Sequence, residues 1–112
     1  MTNAPQSQVK RKPTTELEKE FQELAKQWRH DTGHFSFVSQ MIRHPAYQSI
    51  IEMGEPVIPI ILKDLQAQPD HWFPALATIS GESPHIPDED KGRIRVISKI
   101  WIEWGKAKGY IE

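Results

Sequence analysis

Apolar residues recur at helical spacing through most of the chain after residue 14. Leu17, Phe21, Leu24, Ala25 and Trp28 fall three and four apart, with Glu, Lys and Gln between them. That stripe predicts an amphipathic helix over about 16–30. Thr15-Glu16-Leu17-Glu18 has the form of a capping box, with Thr15 as N-cap and Glu18 reaching back. Gly33 is expected to end the helix in the left-handed conformation that glycine adopts readily. A short second helix is expected over 37–43, with Phe35, Val38, Met41 and Ile42 turned inward.

Prolines and glycines punctuate the chain beyond residue 43. His44-Pro45 closes the second segment, because proline has no N–H to donate and disfavours helix in the residue before it. Pro45 opens a third helix, PAYQSIIEM, which Gly54 closes. Pro56 opens a fourth, PVIPIILKDLQ, which stops before Pro69. Asp70 reads as the N-cap of a fifth, HWFPALATIS, with Gly81 as its stop. The segment 82–90, ESPHIPDED, reads as a loop. A last helix is expected over about 90–107, with Ile94, Ile97, Trp101 and Trp104 as its buried stripe and Gly109 at its end. No segment shows the strict alternation of a half-buried strand, and Pro59 argues against one in VIPIIL. The expected class is all-α, a compact bundle of about six helices over 14–112, preceded by a disordered polar tail at 1–13.

Composition narrows the picture without naming a reaction. A chain of 112 residues supports a single core. The net charge of −1 gives no overall pull toward nucleic acid or an anionic membrane. With no cysteine, disulfides, thiolate zinc sites and cysteine catalysis are excluded, which fits a reducing compartment. The longest apolar run, Val57 to Leu62, is too short to cross a bilayer. The first fourteen residues lack the apolar stretch of a signal peptide. A soluble cytoplasmic protein is the expectation.

Four stretches suggest chemistry. Asp31-Thr32-Gly33 is the triplet of aspartic proteases, but it follows an amphipathic helix and lacks apolar strand flanks. It reads as a helix end, with Asp and Thr bonding the local backbone and Gly33 at positive φ. His30 and His34 stand four apart beside Asp31, and with His44 they form a candidate ligand set; a helix broken at Gly33 would misalign them. His71-Trp72-Phe73 places two aromatics at a helix start, as core packing or as a partner platform. Lys91, Arg95, Lys99 and Lys106 fall on one face of the last helix, where a basic stripe can track phosphates, and Lys10-Arg11-Lys12 can add to it.

The segment Gly54-Glu55-Pro56-Val57-Ile58-Pro59-Ile60-Ile61-Leu62, followed by Asp70 and by Ala75 to Gly81, resembles a HEAT-like repeat unit. There a proline-started helix is followed by a turn and a second helix of small residues. The tryptophan-rich segment Trp101-Ile102-Glu103-Trp104 resembles the closing helix after some bacterial units of this kind. The resemblance spans about 45–105. It implies a helical hairpin at the centre of the bundle and a binding surface rather than an enzyme. The chain departs from the pattern in showing one clear helix pair, where stacked arrays need three or more units. It is also similar to small bacterial proteins with HPAYQ, GEP-x-IP and PDHWF segments, a similarity that implies no activity.

The expected function is therefore a non-catalytic α-helical module that binds a protein partner, with His71, Trp72 and Phe73 as candidate contacts. No cofactor, metal or membrane partner is expected. The alternative is nucleic-acid binding through Lys91, Arg95, Lys99 and Lys106. A metal-dependent hydrolase using His30, Asp31 and His34 comes third.

Overall fold

A computed structural model describes residues 14–112. The expected tail at 1–13, with Lys10-Arg11-Lys12, lies outside the described residues. Six α-helices are found among the described residues: α1 (Thr14–Thr32), α2 (Val38–Met41), α3 (Pro45–Glu52), α4 (Ile58–Ala67), α5 (Phe73–Ser80) and α6 (Ile94–Lys108). Short 3-10 turns precede α4 (Glu55–Val57) and α6 (Asp88–Asp90). No strand is present among the described residues, so the class is all-α.

The helix ends obey local chemistry. Pro45, Pro56, Pro59 and Pro74 each sit in a first turn, where the missing N–H costs no intrahelical bond. Gly81 and Gly109 close α5 and α6 with φ of 74° and 86°. Several boundaries differ from those the sequence predicts; the second helix, expected over 37–43, is only Val38–Met41. α1 already includes Thr14, so Thr15 lies in its first turn rather than ahead of it. Gly33 does not adopt a positive φ. Its lack of a side chain serves a close approach instead, since a Cβ there would lie 3.1 Å from the Arg29 carbonyl oxygen. Asp70 is not the N-cap of α5, which starts three residues later at Phe73. α6 starts at Ile94 rather than near 90, because Gly92 turns the chain at φ 88°.

One core joins the helices. Phe21, Ala25 and Trp28 from α1 meet Tyr47 and Ile50 from α3, Ile58, Ile61 and Leu62 from α4, and Ala75 and Leu76 from α5. α1 packs mainly on α3, α3 on α5, and α4 on both α5 and α6. The aromatic centre is continuous. The Trp72 ring lies 4.7 Å from Trp28, 5.2 Å from Phe21 and 5.3 Å from Tyr47 between centroids. α2 is shallower than its apolar pattern predicts. Val38, Met41 and Ile42 are only half-buried, and the segment is held by the Trp28 Nε1 bond to the Met41 carbonyl at 2.9 Å.

The buried line of α6 is also shifted. Ser98, Trp101 and Gly105 are its deepest residues, while Ile94, Ile97 and Trp104 are half-buried. Gly105 sets this register. A Cβ added there would fall 2.3 Å from Leu62 Cδ1, so only glycine lets α6 approach α4 this closely. Gly105→Ala gains about 1 kcal/mol of helix propensity. Overpacking against the fully buried Leu62 costs roughly 1–3 kcal/mol. We expect a net loss of stability in urea denaturation, and no such loss when the same change is made in a Leu62→Ala background and measured against Leu62→Ala itself.

Candidate functional site

Three constellations gather the polar and exposed apolar groups. The first is a half-buried polar node. Arg29 of α1 donates from Nη2 to Asp64 of α4 and from Nε to Asp70 Oδ2 at 2.7 Å, in the turn before α5. Trp72 Nε1 donates to the same Asp64 oxygen at 2.9 Å, and the guanidinium lies 5.8 Å from the centroid of the Trp72 ring. Burial works against the Arg29 charge, but the hydrogen bonds to Asp70 and Asp64 outweigh it and raise its pKa. Asp70 Oδ1 also accepts the His71 N–H at 2.8 Å. Both carboxylates are met by donors from other parts of the fold, which is the arrangement of a structural tie.

The second constellation is a histidine pair around Asp31, at the C-terminal end of α1. His30 Nδ1 is 3.1 Å from Asp31 Oδ1, and His44 Nε2 is 2.8 Å from Asp31 Oδ2. Hydrogen bonds from His30 and then His44 hold the Asp31 carboxyl below its ordinary value. Its contribution to stability is thus present above the ordinary carboxylate range and is lost as the pH falls through the lowered value. His44 also caps α3, its Nδ1 accepting the Ala46 N–H at 3.0 Å. His34 takes no part: it is exposed and stands edge-on to Phe35. Thr32 bonds back to the Trp28 carbonyl at 2.6 Å, inside the core. So Asp31-Thr32-Gly33 is a helix end, as expected, but Asp31 bonds histidines rather than backbone. Among the described residues no three His, Cys, Asp or Glu side chains form a group that can hold a metal ion.

The third is an apolar groove of about 390 Å³ between α5 and the start of α6. Phe73 and Ala77 line it from α5, Ile97 and Trp101 from α6, and Ile86 from the connecting loop. His71 stands at its edge with its ring T-shaped to Phe73. Val38 also lines it, and its chain neighbour Phe37 is 65% exposed.

The candidate contacts His71, Trp72 and Phe73 therefore separate. His71 and Phe73 face the groove, whereas Trp72 is fully buried and is corrected from surface contact to core. Its indole N–H is bonded to Asp64, which leaves neither its face nor its polar edge for a partner.

The basic face is reduced as well. Lys91 lies before α6 and pairs with Asp88 at 3.0 Å, so it does not belong to the helical stripe. Lys106 pairs with Glu103 at 3.6 Å. Arg95 and Lys99 remain exposed on α6. Lys108 is bound to Glu82, which also accepts the Trp104 N–H at 3.1 Å, and these bonds, Lys108 first, hold the Glu82 carboxyl below its ordinary value. Tyr110 stacks on Trp104 and donates to Glu55 at 2.7 Å, which raises its hydroxyl pKa. Together they clasp the C-terminal end of α6 to the loops beside it.

Sequence patterns give no sign of Arg29, of Asp64 or of the cap role of His44. Among the described residues no helix is long and apolar enough to cross a membrane. No family model, curated protein or solved structure matches the chain.

Proposed function

We propose that the protein is a non-catalytic helical binding module whose groove between α5 and α6 receives apolar side chains of a protein partner. The observation that carries this is the groove itself: an open concavity lined by Phe73, Ala77, Ile86, Ile97 and Trp101 on a chain in which 26% of residues are charged. Open apolar concavities of this kind mark interaction sites on otherwise polar surfaces. The HEAT-like resemblance of 54–81 supports the same reading, since paired helices of that kind serve as binding surfaces, although a fold alone fixes no function.

Nucleic-acid binding is less well supported. Of four candidate basic residues, one lies outside the helix and another is paired on the surface. The hydrolase reading is less well supported too, since among the described residues His30, Asp31 and His34 do not form a group that can hold a metal ion.

Filling the groove tests the proposal. Ala77→Glu puts a carboxylate into its floor at a half-buried position. Affinity capture from the cells that make the protein should recover a partner with the parent and not with Ala77→Glu, at matched melting temperatures. Equal capture by both, or recovery of nucleic acid that is lost with salt and with Arg95→Glu and Lys99→Glu, contradicts the proposal.

A further inference from the structure

His44 makes two bonds that together fix the tautomer of its neutral ring. Its Nδ1 accepts the Ala46 N–H at 3.0 Å. A main-chain N–H only donates, so Nδ1 carries a lone pair there. The proton of the neutral ring therefore sits on Nε2, which donates to Asp31 Oδ2 at 2.8 Å. We propose that His44 is a proton-sensitive cap: a second proton, at Nδ1, releases the Ala46 N–H and loosens both the first turn of α3 and the groove wall tied to it.

The tie runs through Tyr47, the residue after Ala46. Tyr47 is fully buried, and its hydroxyl donates to the His71 carbonyl at 2.9 Å and accepts the Ala75 N–H at 3.1 Å. Those two bonds hold the start of α5, where His71, Phe73 and Pro74 form one wall of the groove. An imidazolium at position 44 sets a ring N–H against the Ala46 N–H. Two donors cannot share that contact, so either the ring turns or the helix start opens. Both lose the cap.

Asp31 faces His44 from α1, with His30 on that carboxylate's other oxygen. Arg43, next in the chain, is exposed to water. On α3 itself the nearest titratable group along the chain is Tyr47, bonded as described.

The test is amide hydrogen exchange read by NMR on the full chain, with the His44 ring signals followed in the same samples. In the parent, the protection factors of Ala46 and Ala75 should fall together by about fivefold, the loss of one cap, as the His44 ring takes up its proton. In His44→Asn, which keeps a capping oxygen and cannot titrate, they should hold over the same range. Unchanged protection at Ala46 while the His44 ring protonates overturns the proposal, as does an equal fall in His44→Asn. Should the Asn variant fold poorly, the parent alone decides, since its exchange either tracks the His44 ring or does not.

Discussion

Trp72→Ala is expected to leave the protein largely unfolded, and Trp72→Phe to be strongly destabilised. The indole is fully buried and touches the rings of Phe21, Trp28 and Tyr47. Truncating a buried tryptophan to alanine costs about 3–5 kcal/mol, from a total of about 5–15 kcal/mol for a domain. Phenylalanine restores a ring but not the N–H that Asp64 accepts. It leaves Asp64 with Arg29 alone and costs about 1–3 kcal/mol. Guanidinium denaturation of the three proteins checks both values. A Trp72→Phe variant as stable as the parent would show that the bond to Asp64 is not part of what holds α4 to the start of α5.

Trp101→Ala should match Trp72→Ala in severity, but the phenylalanine variants should part company. Trp101 is 1% exposed, and its ring meets Trp104 edge-on at 5.0 Å. It fills the space between α6 and the α4–α5 pair, so its removal again costs about 3–5 kcal/mol. Its Nε1 has no hydrogen-bond partner among the described residues. Trp101→Phe therefore removes an unpaired buried donor along with some volume, and the two effects oppose one another. It should be milder than Trp72→Phe. Lys99→Ala, exposed on the same helix, should change stability by no more than about 0.5 kcal/mol. If Trp101→Ala melts like the parent but loses a bound protein, Trp101 belongs to a contact surface and its place in the core is refuted.

The helices are legible where one residue acts on its own backbone. Pro45, Pro56 and Pro69, with Gly54, Gly81 and Gly109, mark ends within a residue or two of those observed, because missing N–H groups and positive φ are local properties. Errors arise where a local signal has two meanings. Gly33 serves a close contact rather than a positive φ, and Gly92, which delays α6, stands in a run of charged residues that also suits a helix start. Pro74 reads as an interior residue of the fifth helix and is part of its opening turn.

The candidate site is legible only in fragments. The Arg29 node joins residues 35 and 41 positions apart, and nothing in any one segment announces such a pairing. The groove draws on α2, α5, the loop after α5 and α6, so it exists only once the helices are docked. His71 and Phe73 can be singled out beside an adjacent aromatic, but the alternation that buries Trp72 between them depends on the turn at Asp70. His44 reads only as the residue before the proline that stops a helix, since histidine is not among the usual capping residues; the approach of Asp31 orients its ring to accept the Ala46 N–H.

That the groove, and not the basic face, is the working surface can be tested without knowing the partner. A photo-reactive amino acid is placed at Ser83, exposed on the groove's rim, or at Lys99, exposed on α6, and each protein is irradiated in the cells that make it. A discrete protein adduct is expected from position 83 and none from position 99. Adducts from position 99, to protein or nucleic acid, with none from position 83, would contradict the groove's role.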